Sequence, residues 1–271
     1  MSDIEERFRA LKQREEGALI GYITAGLPSI KDSFQIAKAL VEGGVDILEL
    51  GIPFSDPIAD GRTLQFSNYL ALKRGVKPKM VLELSAKVKD ELKIPLAILS
   101  YFNPIYKIGV EEFLALAKDS KVDGLIIPDL PIDEGEDYVK LARKYSIDTI
   151  FLAAPNTSEE RLHRIVDSTR GFLYLISLYG VTGEREKLAD YTLNLIKSFS
   201  WVKSKVNLAV GFGVSNSKHI KELIRAGVDG VIVGSAFMKI VNEGKDLELT
   251  VRNLEDLAKD LKEGTRFKDI Y

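Results

Sequence analysis

The chain has 271 residues, 45% of them hydrophobic and 29% charged, with 38 basic and 40 acidic side chains, a formal net charge of −2 and no cysteine. This balance excludes the strongly basic face that nucleic-acid binding needs, and the lack of cysteine excludes disulfides, thiol catalysis and thiolate metal sites. No apolar run reaches the roughly 18 residues of a membrane span; the opening MSDIEERFRALKQREEG is charged and amphipathic rather than an export signal, so a cytoplasmic protein is expected.

In chain order, Asp3–Arg14 reads as an amphipathic helix ahead of the first strand. Short β-branched or apolar runs then recur at Ala18–Thr24, Asp46–Gly51, Leu96–Ser100, Gly124–Ile127, Thr149–Ala153, Phe172–Ser177, Asn207–Val210 and Gly230–Val233. Most are continuously hydrophobic, as parallel strands buried on both faces are. Between them lie helical patterns, among them Ser33–Glu42, Val110–Lys118, Glu134–Lys144, Glu159–Asp167, Leu193–Val202 and Ser217–Ala226, and Leu247–Leu261 closes the chain. A weak internal echo, Gly44-Val45-Asp46, Lys121-Val122-Asp123-Gly124 and Gly227-Val228-Asp229-Gly230, introduces three of the strands. Eight βα units without a composition break predict an α/β protein: a single (β/α)8 TIM barrel over residues 1–271 with an extra N-terminal helix. A doubly wound open sheet is the alternative.

In a barrel the chemistry sits in the loops after the strands. Here those loops hold the special backbone residues: Gly26-Leu27-Pro28, Pro53–Gly61, Asn103-Pro104, Pro128–Pro131, Pro155-Asn156-Thr157, Gly180–Gly183, Gly211–Gly213 and Gly234-Ser235. Period two in Asp46–Gly51 puts Ile47, Glu49 and Gly51 on one face and Leu48 and Leu50 on the other. If the leucines meet the helices, Glu49 points into the barrel. A structural Glu would need an interior Lys or Arg, and none stands out in the other strands. Asp60 follows eleven residues on, in an Asp-Gly pair that is also a common turn. Together the two acids make a candidate acid/base pair.

Asp56 and Asp129, each beside proline, read as rigid turns. His163 and His219 fall on exterior helical patterns, and no spacing suggests a metal site. The three glycine loops after the last strands, with a short helix starting near Gly234-Ser235, suit a phosphate group held by backbone N–H groups. Each loop taken singly is equally an ordinary turn.

These stretches carry a resemblance. Glu49-Leu50-Gly51-Ile52-Pro53-Phe54-Ser55-Asp56-Pro57-Ile58-Ala59-Asp60-Gly61, with Tyr22-Ile23-Thr24-Ala25-Gly26, Tyr101-Phe102-Asn103-Pro104, Pro128-Asp129-Leu130-Pro131, Ala153–Thr157, Gly180–Gly183, Gly211-Phe212-Gly213 and Gly234-Ser235-Ala236, closely resembles the α subunits of tryptophan synthase over nearly the full length. The resemblance implies retro-aldol cleavage of indole-3-glycerol phosphate to indole and glyceraldehyde 3-phosphate, with no metal or organic cofactor in this chain. It implies Glu49 and Asp60 as the catalytic acids. Substrate contacts are implied at Tyr22, Tyr174, Thr182, Gly183, Gly211, Phe212, Gly213, Gly234 and Ser235. It also implies a β-subunit partner that carries pyridoxal phosphate, an α2β2 assembly, and a contact rim including Pro53, Asp56, Pro57, Asn103 and Pro131. The chain departs from the family pattern at Arg62, where proline is usual, and at Leu178-Tyr179 before Gly180. Two other functions remain open at this level: a phosphate-binding barrel acting on a different sugar or glycerol phosphate, and a chain that only activates its partner.

Overall fold

The computed structural model describes residues 1–176, 190–211 and 213–266. One parallel sheet carries strands β1 (Ala18–Thr24), β2 (Ile47–Gly51), β3 (Leu96–Leu99), β4 (Gly124–Ile126), β5 (Asp148–Ile150), β6 (Leu152–Ala153), β7 (Phe172–Ile176), β8 (Asn207–Gly211) and β9 (Gly230–Val233). Their order is β5-β4-β3-β2-β1-β9-β8-β7-β6. The two ends of that order are consecutive in the chain, so the ring closes through residues 148–153. The expected single strand Thr149–Ala153 is broken at Phe151: its first half pairs with β4 and its second with β7. The break is bridged by Tyr174 N–H donating to the Phe151 carbonyl at 3.0 Å and by Arg170 N–H donating to that of Thr149 at 3.0 Å.

α1 (Asp3–Gln13) lies across the N-terminal mouth of the ring, where Ile4 and Phe8 meet Gly124, Gly171 and Gly230 at the leading ends of β4, β7 and β9. Around the ring stand α2 (Ile30–Glu42), α3 (Arg62–Lys73), α4 (Pro78–Leu92), α5 (Phe102–Ile108), α6 (Val110–Asp119), α7 (Glu136–Lys144), α8 (Glu159–Ser168), α9 (Asp190–Ser198), α10 (Ser217–Ala226), α11 (Ser235–Glu243) and α12 (Leu247–Glu263). α1 is fixed by a capping box in which Ser2 and Glu5 satisfy each other's backbone N–H. α1 turns Ile4, Phe8 and Leu11 inward, and the Phe8 ring lies 5.9 Å from that of Phe172. Two expected helices are shorter. Residues Ile132–Glu134 and Ser200–Ser204 form 3-10 turns, so α7 starts at Glu136 and α9 stops at Ser198. Among the described residues no helix is long and apolar enough to cross a membrane.

The Val-Asp echo has a structural cause. Asp46, Asp123 and Asp229 each stand before a strand and clasp its neighbour at two points. Their backbone N–H groups donate to the carbonyls of Leu19, Leu96 and Leu208 at 2.8, 2.9 and 2.8 Å. In return the N–H groups of those leucines donate to the three carboxylates at 2.8, 2.7 and 2.9 Å. Lysines neutralise the buried charge: Lys262 on Asp46 at 2.8 Å, Lys89 on Asp123 at 2.7 Å and Lys203 on Asp229 at 3.5 Å. These clasps fix the register of the strands, and hence which side chains enter the barrel.

α3 and α4 lie where the sequence pattern assigns no element. α3 is inverted: Ser67 and Asn68 are buried while Phe66 and Tyr69 are exposed. A helix that hides polar side chains and shows aromatic ones defeats a reading based on apolar periodicity.

Candidate active site

β1 and β2 pair with Tyr22 opposite Glu49. A Cβ on Gly21 would meet Leu40 of α2 at 3.6 Å, so odd positions of β1 face the helices and even ones face the interior. A Cβ on Gly51 would stand 2.2 Å from the Tyr22 hydroxyl. Gly51 therefore gives room to the Tyr22 ring, and Glu49, two residues earlier, shares that inner face. Gly211 does the same across the barrel, where a Cβ would stand 2.7 Å from the Tyr174 hydroxyl. Gly211→Ala should push that ring aside at a cost of about 1–3 kcal/mol, measured as a lower urea midpoint.

Glu49 is fully buried, and neither carboxyl oxygen has a hydrogen-bond partner. Burial without a compensating cation or donor raises its pKa to about 8. Asp60 lies on the loop between β2 and α3. Burial raises its pKa to about 6, held back by a hydrogen bond that Asn68 Nδ2 donates to Oδ2 at 3.0 Å. The Tyr22 and Tyr174 hydroxyls are shifted far upward, first by burial and then by the negative fields of both Asp60 and Glu49. The Tyr22 hydroxyl shares a 3.2 Å hydrogen bond with Thr24 Oγ1. The two phenols are thus held neutral between two carboxyls of different acidity.

A cavity of about 210 Å³ opens at the C-terminal end of the strands, lined by Tyr22, Asp60, Leu99, Leu152 and Tyr174 on one side and Gly211, Gly213, Gly234 and Ser235 on the other. Glu49 is fully buried beside this cavity, paired across the strands with Tyr22, which lines it. α11 begins at Ser235 with no side chain capping its first turn. Its leading N–H groups are therefore open to an anion. The structure brings together Glu49, Asp60, Tyr22, Tyr174, Gly211, Gly213, Gly234 and Ser235 from the expected set. Thr182, Gly183 and Phe212 lie outside the described residues, as do Leu178 and Tyr179.

Of the expected rim, Asp56 and Asn103 are exposed, Pro57 and Pro131 are half-buried, and Pro53 is buried. Arg62 is exposed at the first position of α3. A second cavity of about 320 Å³ adjoins the first, sharing Ala59, Pro128, Leu152 and Ile176, and is walled by Leu130, Ile132 and Phe151. The sequence reading missed two supports of the Asp60 loop. The Tyr101 hydroxyl accepts the Ala59 N–H at 2.9 Å while its ring stacks on Phe54 at 5.2 Å. Asn68 is the other. No sequence signal marks it, because the buried face of α3 is polar and its apolar periodicity is hidden. No cluster of three or more metal-ligating side chains occurs among the described residues.

The family model for the tryptophan synthase alpha chain matches residues 8–266. A Methanosarcina barkeri tryptophan synthase alpha chain is 45% identical over 263 residues, which span 97% of each chain. Among solved structures, Mycobacterium tuberculosis tryptophan synthase superposes with a TM-score of 0.88 at 33% identity, covering 98% of this chain and 99% of that one. A tryptophan synthase complex from Pyrococcus furiosus superposes with a TM-score of 0.83 at 41% identity, covering 91% and 98%.

Proposed function

Because this chain belongs to the tryptophan synthase alpha chain family, we propose that Glu49 and Asp60 divide the acid and base work of its reaction between them. The enzyme is a lyase of tryptophan biosynthesis that cleaves indole-3-glycerol phosphate to indole and glyceraldehyde 3-phosphate. The observation that carries the assignment is the unlike setting of the two acids, Glu49 fully buried with both oxygens unpartnered and Asp60 lining the cavity with Oδ2 held by Asn68, which raises the first pKa to about 8 and the second to about 6. At neutral pH the first is a carboxylic acid and the second a carboxylate, the two forms the cleavage requires.

Glu49, on the inner face of β2 beside the cavity-lining Tyr22, gives its proton to indole C3. The ring becomes an indolenine with positive charge at nitrogen, and the Asp60 carboxylate accepts the ring N–H hydrogen bond and stabilises that charge as it develops. The Glu49 carboxylate then takes the proton of the glycerol hydroxyl next to C3. As the carbonyl forms, the C–C bond breaks and its electron pair returns to the ring, restoring indole.

Tyr22 and Tyr174 flank the heterocycle and keep water away. The phosphate is held by the open N–H groups of α11 with Gly213, Gly234 and Ser235, and Gly211 adjoins them; the family resemblance adds Gly183 and, adjoining, Phe212 to that end and Thr182 to the side of Asp60, three residues outside the described ones. Gripping the tail far from the breaking bond uses binding energy to orient the head.

Indole passes to a β subunit, which holds the pyridoxal phosphate, in a cytoplasmic α2β2 complex. Asp56, Pro57, Asn103 and Pro131 face that partner, whereas Pro53, expected on the same rim, is buried within this chain and offers it no surface. The test is indole release from indole-3-glycerol phosphate by the purified chain, alone and with its β subunit. Release that rises on adding the β subunit and falls by about 10²-fold or more in Glu49→Gln and Asp60→Asn is expected. Unchanged cleavage by either variant would overturn the assignment, and activation of the β subunit without any cleavage would identify a scaffold instead.

A further inference from the structure

We infer that Asn68 is a positioning residue for catalysis: one amide on α3 ties the start of the β2–α3 loop to its end and so aims the Asp60 carboxylate. The inference rests on the reading of Asp60 as the acceptor of the substrate N–H. The Asn68 side chain is 2% exposed and uses its full donor capacity. Nδ2 donates to Asp60 Oδ2 at 3.0 Å and to the Leu64 carbonyl at 2.9 Å, while Oδ1 accepts the Phe54 N–H at 3.0 Å. The Leu64 bond anchors the amide to its own helix one turn back, so the side chain cannot turn without losing it. Phe54 and Asp60, six residues apart, are thereby referred to the same rigid helix.

Asn68 is the one side chain among the described residues that donates to the Asp60 carboxylate. It occupies Oδ2 and leaves Oδ1 for a ligand in the cavity that Asp60 lines. A carboxylate fixed at one oxygen by a helix-borne donor has a defined plane, and a planar heterocyclic N–H is a donor that requires one. The same hydrogen bond favours the charged form of Asp60 and opposes the effect of burial. Asn68 accordingly acts twice on one group, on its direction and on its ionisation.

A purely structural role is the competing explanation, since α3 also packs on α11 through Ser67 Oγ, 3.1 Å from Asn242 Oδ1. Ser67→Ala therefore serves as the control on the same helix. The experiment measures the pH dependence of kcat and KM for indole-3-glycerol phosphate cleavage by the full chain with its β subunit, in Asn68→Leu, Asn68→Asp and Ser67→Ala, with thermal unfolding alongside. Asn68→Leu keeps the volume and removes every hydrogen bond. Asn68→Asp keeps the acceptor for Phe54 N–H, so it holds the loop if the leucine variant does not fold.

The acid limb of the kcat/KM profile is expected to move up by about one pH unit in Asn68→Leu, from loss of a hydrogen bond to an ionised group, and further in Asn68→Asp, where a second carboxylate 3.0 Å from Asp60 adds like-charge repulsion. kcat at pH 7 is expected to fall about tenfold or more, from loss of alignment, with KM little changed. Ser67→Ala is expected to lower the unfolding temperature without moving the limb. An unmoved acid limb in a folded Asn68 variant, or a loss confined to stability, overturns the inference. Asp60→Asn separates the two readings: if it cleaves at the parent rate, the role given to Asp60 fails. If it loses about 10²–10³-fold while the Asn68 profiles match the parent, only the role given to Asn68 fails.

Discussion

Replacing Glu49 by Gln should silence indole formation and, in the same protein, raise stability increasingly with pH. The loss of activity follows from the proton inventory. Glutamine can neither protonate C3 nor accept the hydroxyl proton, and removal of a general acid–base group costs about 10²–10⁴-fold, with the upper end expected where one group acts twice. The stability gain follows from linkage. Glu49 has a native pKa of about 8 against an ordinary value of 4.5, because it is buried with both oxygens unpartnered.

Below pH 4.5 native and unfolded chains both hold the proton, and burial of the neutral acid carries no pH-dependent penalty. As pH rises toward 8 the unfolded chain releases its proton while the native chain keeps it, so native stability falls through that window and levels off above it. A glutamine side chain has no proton to release. The advantage of the Glu49→Gln variant should therefore be small at acid pH and grow to the order of a few kcal/mol near pH 8. The other buried acids with raised pKa values, including Asp60 and Asp148, are present in both proteins and cancel in the difference. Urea unfolding of the two proteins at an acid and an alkaline pH measures it. A gap that does not widen with pH would mean that Glu49 is not buried in its neutral form.

The second large effect is a bell-shaped pH profile of kcat/KM and its change in Asp60→Asn. Asp60 must be ionised to accept the ring N–H and Glu49 must be protonated to donate, so the rate should fall below about 6 and above about 8. Asp60→Asn removes the charge that stabilises the indolenine, with an expected loss of about 10²–10³-fold. The residual activity should keep its alkaline limb and lose the acid limb that belongs to Asp60. The substrate phosphate also titrates near pH 6, and an acid limb that survives at full strength in Asp60→Asn would assign that limb to the phosphate. An alkaline limb that persists in a Glu49 variant with measurable activity would in turn remove Glu49 from the general-acid role.

The sequence by itself determined the strands of the barrel, most of its helices and most of the inner face of the site. Hydrophobic runs, the period of two in β2 and the glycine and proline punctuation after each strand are local properties of the backbone. They marked Glu49 as an inward acid and pointed to the proposed phosphate end at Gly211, Gly213, Gly234 and Ser235. The Val-Asp echo was visible too, although its meaning, a clasp on the neighbouring strand, emerges only when Asp46 reaches Leu19, Asp123 reaches Leu96 and Asp229 reaches Leu208.

Tertiary structure alone decided what each acid can do. Whether Glu49 finds a cation depends on side chains brought in from the other strands when the ring closes, and no nearby residue in the sequence reports that they are Tyr22 and Tyr174. Asn68 reaches Asp60 only because the loop folds back onto α3, a helix whose buried face is polar. The break at Phe151 likewise reflects closure, since the two halves of one apolar run must pair with different strands. Local patterning sets which way a side chain points, whereas acidity and aim are set by partners distant in the chain, whose approach depends on the closed barrel.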